Sequence, residues 1–84
     1  MNAYVLLKWT SGKDAGMMSV LESDCVRGHD TIIFNDDDGT PVNIVDPVVV
    51  EWRAGKKPKQ GWPVFEARLL QASGYLASFI KLYQ

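Results

Sequence analysis

Apolar and polar residues alternate with a period of two in several short stretches of this chain. Residues 4–9, Tyr-Val-Leu-Leu-Lys-Trp, are rich in β-formers and too few for a helix. Tyr4, Leu6 and Lys8 fall on one face, Val5, Leu7 and Trp9 on the other. A loop from Thr10 to Gly16, punctuated by Gly12 and Gly16, leads to a second short strand at Met17 to Leu21, so an antiparallel hairpin with a long turn is predicted. Further on, Val48, Val50 and Trp52 alternate with Val49, Glu51 and Arg53. From Trp62 to Leu70, Phe65, Ala67 and Leu69 alternate with Val64, Glu66, Arg68 and Leu70. The charges at Glu66 and Arg68 mark the solvent side, and Pro63 fits only at a strand start. These two strands are expected to pair antiparallel, with Val48, Val50, Phe65, Ala67 and Leu69 in the core.

Between the two halves the pattern weakens. Glu22-Ser23-Asp24 breaks the second strand and Arg27 to Asp30 reads as a turn. Thr31 to Phe34 and Val42 to Val45 flank a strong turn signal at Asn35 to Gly39, which suggests a small hairpin. At the end the period changes: Leu76, Phe79, Ile80 and Tyr83 repeat at helical spacing, with Ser73 placed to cap the helix and Lys81 in its last turn. A helix this short needs a partner surface, so its stripe is expected to pack on the sheet of the same chain, leaving a monomer. The expected fold class is mainly β: about five antiparallel strands and a short C-terminal helix in a single domain over residues 1–84.

Composition narrows the functional classes. With 84 residues the chain has room for one core and little for a deep catalytic cleft as well. A net charge of −1 creates no demand for nucleic acid or an anionic membrane. The single cysteine, Cys25, cannot form an internal disulfide, which points to a reducing compartment. No apolar run approaches the roughly 18 residues of a membrane span, and the N-terminus lacks a leader's apolar stretch. No membrane partner and no cofactor are expected.

Two pairs of segments together resemble a known module. The first pair is Tyr-Val-Leu-Leu-Lys-Trp with Met-Ser-Val-Leu-Glu-Ser-Asp-Cys-Val. The second is Val-Val-Val-Glu-Trp-Arg-Ala-Gly-Lys-Lys with Trp-Pro-Val-Phe-Glu-Ala-Arg-Leu-Leu-Gln-Ala-Ser-Gly. In order and spacing they resemble the Tudor-like small β-barrel found near the N-terminus of some BEN-domain chromatin proteins. The likeness covers residues 4–27 and 46–74. It departs from the family at Phe65-Glu66-Ala67, where Tyr-Pro-Ala is usual, and in the longer 28–45 segment. The resemblance implies a bent-sheet barrel, a nuclear location (cytoplasmic without it) and a non-catalytic role in chromatin recognition. Such domains hold methylated lysine or arginine in an aromatic cage. Trp52 matches the cage aromatic of the first core strand and Phe65 that of the second, and Trp9 and Trp62 are candidates for further walls.

Each candidate site has a plainer reading beside it. Three tryptophans in a small domain are often its core. Arg53, Lys56, Lys57 and Lys59 form a basic cluster next to Trp62, which suits phosphate contact and base stacking in DNA or RNA; as a solvated loop they need no ligand. Asp36-Asp37-Asp38-Gly39 lacks the alternating ligands of a calcium loop and reads as a turn tip. His29 stands alone, and with Cys25 it supplies only two of the four ligands of a structural zinc site; Cys25 reads as a small buried hydrophobe. The expectation is therefore a non-enzymatic module for a protein or modified histone-type peptide. The alternatives are nucleic-acid binding through the 53–62 loop, and a protein-interaction scaffold or small stand-alone inhibitor.

Overall fold

The computed structural model describes residues 3–44 and 46–74. Four strands form one antiparallel sheet: β1 (Tyr4–Trp9), β2 (Met18–Glu22), β3 (Val48–Glu51) and β4 (Val64–Ser73), in the spatial order β2-β1-β4-β3. The mainly β expectation is met, and the two pairings read from alternation are present. β1 and β2 form a hairpin with Leu6 opposite Val20. β3 and β4 pair antiparallel with Val50 opposite Phe65. β1 then lies against β4, Trp9 opposite Ala67, which brings the two hairpin-like halves into one sheet.

One face of the sheet carries the core. Val5, Leu7 and Trp9 of β1, Val50 of β3, and Ala67, Leu69 and Ala72 of β4 are buried together with Cys25 and Val26; Val48 and Phe65 pack against them half-buried. Leu6, on the opposite face of β1, is also buried.

The strand bounds differ from the sequence reading most at the end of β4. The reading ends this strand at Leu70 and gives Ser73 to a helix cap, whereas β4 continues to Ser73. Its register against β1 shifts between Leu6 and Leu7, so Leu70 is an extra residue in the ladder. Beyond this bulge the inward side chain is Ala72, not residue 71, and the strand keeps pairing up to Tyr4 opposite Ser73. The helical stripe at Leu76, Phe79, Ile80 and Tyr83 lies outside the described residues.

The segment from β2 to β3 is only partly β. A 3₁₀ turn at Ser23–Cys25 follows β2, and a second, His29–Thr31, takes the first residue of the β run predicted from Thr31 to Phe34. Among the described residues, which leave out Val45, the small hairpin is reduced to one bridge, Phe34 opposite Pro41, with the Val42 N–H donating to the Ile33 carbonyl. Its tip is built by side-chain oxygens: Asn35 Oδ1 accepts from the Asp37 N–H and Asp38 Oδ1 from the Thr40 N–H and hydroxyl. Three acidic residues therefore form a turn tip, as Asp and Asn favour. The tip is fastened to β4, where the Ala72 N–H donates to the Gly39 carbonyl at 2.8 Å and Gln71 Nε2 to that of Asp38.

Candidate aromatic pocket

β1 and β3 end on either side of the start of β4, and their aromatic residues meet there. Trp9, the last residue of β1, is inward-facing and only 3% exposed; its indole N–H donates to Ser19 Oγ on β2 at 2.9 Å. Trp52 follows β3 directly and is 37% exposed. Alternation assigns it an inward position, but it lies just past the ladder, with its ring centroid 5.7 Å from that of Trp9 at an interplanar angle of 76°. Phe65 stands edge-on to the same indole, at 6.3 Å and 87°. Edge-to-face packing of this kind is favoured by the ring quadrupoles. Two rings nearly perpendicular to a third leave a concave space of about 190 Å³, lined by these rings with Ser11, Asp14 and Pro63 among others.

The β1–β2 loop forms the remaining wall and is held to β4. The Thr10 N–H donates to the Glu66 carbonyl, and Ser11 Oγ accepts from the Glu66 N–H at 2.8 Å. Gly12, at φ +80°, lies over Phe65, and a Cβ there would sit 2.8 Å from the ring. Lys13 and Asp14 then follow at the pocket wall. Three of the four aromatic candidates thus come together. The fourth, Trp62, is half-buried and lies outside the set of residues lining the pocket. Sequence reasoning missed the loop residues; their only signal was a pair of glycines after Trp9.

The basic candidates divide into two groups. Arg53 is occupied by its own chain: its guanidinium meets Glu51 Oε1 at 2.7 Å and Asp24 Oδ1 at 3.1 Å, and also donates to the Asp24 carbonyl. It clamps the 3₁₀ turn after β2 to the end of β3, beside the Val26–Val50 bridge and the hydrogen bond from the Arg27 N–H to the Val49 carbonyl. Lys56, Lys57 and Lys59 are exposed in the loop that follows. This loop is closed at its base by the Trp52 N–H donating to the Pro63 carbonyl at 2.9 Å and turns where the Gly61 N–H donates to that of Pro58.

A second cavity of about 390 Å³ opens near the other end of the core, floored by Val5, Val26, Ile32, Phe34 and Leu69 with His29 and Asp30 on its rim. Of the site residues weighed from sequence it holds only His29, because it forms where residues 29–34 fold back over the sheet. Cys25 is buried next to Val26 in the core, and desolvation raises its thiol pKa above the ordinary value. Because the thiolate is the nucleophile, native Cys25 should react slowly with a thiol reagent near pH 8 and rapidly once the chain is unfolded. Equal labelling rates in buffer and in denaturant would contradict this burial.

No family model matches the chain, and neither a curated protein nor a solved structure does. Among the described residues no helix is long and apolar enough to cross a membrane.

Proposed function

We propose that the protein is a non-catalytic recognition module of Tudor-like design that takes a methylated lysine or arginine side chain of a protein partner into the Trp9–Trp52–Phe65 pocket. The observation that carries this reading is the perpendicular arrangement of Trp52 and Phe65 on Trp9, with Trp52 exposed and Asp14 at the wall. A cation over aromatic faces gains about 0.5–2 kcal/mol per well-placed ring, and methyl groups favour a site that excludes water. The space is smaller than the roughly 300–1,000 Å³ of small-molecule sites and suits one side-chain head group. The Val26–Val50 bridge supports the barrel part of the reading, since it joins the segment after β2 to the far edge of β3. A role in chromatin, and with it a nuclear location, rests on the sequence resemblance.

The test is an NMR titration of the chain with trimethyllysine peptides, unmodified peptides and short DNA in parallel. Methylated peptide should bind with a dissociation constant on the order of 10–1,000 μM, because a short flexible peptide loses freedom on binding and few contacts offset that loss. Trp52→Ala should weaken binding about two- to thirty-fold while leaving the fold intact, given the exposure of that ring. Equal affinity for unmodified peptide, or indifference to Trp52→Ala, would refute the reading.

A further inference from the structure

The pocket and the lysine loop are parts of one surface. Trp52 and Pro63, which line the pocket, are the two ends of the 53–62 loop and are hydrogen-bonded to each other. Lys56 is four residues from Trp52 and Lys59 four from Pro63, so at about 3.3 Å per residue both lie within roughly 13 Å of the pocket's rim. Lys13 lines the pocket from the other side. Among the described residues the ion pairs engage Arg27, Arg53 and Arg68 and none of these lysines. Around the pocket, therefore, Lys13, Lys56, Lys57 and Lys59 outnumber the carboxylates that no arginine pairs, Asp14 on the wall and Glu66 beside Phe65, although the whole chain has a net charge of −1.

This local excess opposes the chemistry of the pocket. Aromatic walls attract a cation, while four nearby ammonium groups repel a segment that is basic throughout. A segment with both charges satisfies the two together. We infer that the ligand is an acidic or phosphorylated peptide segment, its methylated cation in the aromatic pocket and its anionic groups two to four residues away on Lys56, Lys57 and Lys59. The spacing follows from the reach of an extended strand, about 3.3 Å per residue, across the same distance. The inference rests on the proposed cage and adds the charge of the partner around it.

Three nine-residue peptides test it against the full chain. The first has a central trimethyllysine flanked by glycine and serine. The second has the same centre with glutamates two to four residues to either side. The third has those glutamates around an unmodified lysine. The second should bind about three- to thirty-fold more tightly than the first at low salt, the range of two or three exposed ion pairs. That advantage should shrink at high salt and collapse when Lys56, Lys57 and Lys59 are all replaced by alanine. A methyl-dependent affinity with no preference for glutamate, or a preference that survives the triple replacement, overturns the inference and leaves the cage standing. Equal binding of the second and third peptides removes the cage and the inference with it. Lysine-dependent binding of an oligothymidylate that outcompetes the second peptide would assign the loop to nucleic acid and overturn the inference as well.

Discussion

Replacing Gly39 by alanine is expected to destabilise the fold by about 2–5 kcal/mol, a large part of what a domain of this size has. Two effects add. Gly39 has φ +74°, a left-handed conformation that costs an L-residue about 1–2 kcal/mol. A Cβ there would also run into the Ala72 carbonyl oxygen, with the Ala72 carbonyl carbon and Gln71 Cγ close behind. The obstacle is backbone in a paired strand, which cannot rotate away, so the hairpin must lift and lose the bond from the Ala72 N–H to the Gly39 carbonyl. Overpacking of this kind costs about 1–3 kcal/mol. Gly55 is the control, because it has φ +69° with nothing near its virtual Cβ. Denaturant unfolding should show Gly55→Ala losing only the conformational part. Equal losses at the two positions would mean that the contact between hairpin and β4 contributes nothing.

That contact also shows where sequence reading stops. Strict alternation at 48–51 and 64–69 reveals two strands, their pairing and their inward residues, because a half-buried ladder imposes a period of two on side chains. At Leu70 the bulge breaks the period, so the last turn of the pattern resembles a helix start although the backbone is still paired. Residues 28–44 have no period to read: they are held by two Asx-type turns, one bridge, the Asn43 side chain on Thr31 and Ile33 and the bonds from Gln71 and Ala72, and their position depends on the partner strand. The aromatic candidates could be named singly, since their types and their places at strand ends are visible in sequence. Their convergence was not visible. It follows from the strand order, which sets β1 beside β4 and so brings Trp9 next to residues that lie far along the chain. The Tudor-like likeness expected from sequence named Trp52 and Phe65 as partners but not Ser11, Lys13 or Asp14, which line the pocket with them.

Trp9→Ala should have the largest effect of any single change, about 3–5 kcal/mol, and should leave little folded protein. Trp9 is the largest side chain in the core cluster and is almost wholly inaccessible. It touches each part of the site: Trp52 after β3, Phe65 on β4 and, through its indole N–H, Ser19 on β2. Removing it leaves a cavity that the rigid sheet cannot close, and both pocket rings lose the surface on which they stand. Milder changes separate packing from hydrogen bonding. Trp9→Phe keeps much of the apolar bulk and gives up the bond to Ser19. Ser19→Ala keeps the bulk and leaves the indole N–H without its acceptor, which costs about 1–3 kcal/mol when the group is buried. Thermal and denaturant unfolding should therefore place Trp9→Ala far below both. If Ser19→Ala were as damaging as Trp9→Ala, the hydrogen bond and not the packing would be holding this end of the sheet. If Trp9→Ala were tolerated with the fold intact, Trp52 and Phe65 would be supported from elsewhere, and the perpendicular pocket would not depend on the indole beneath it.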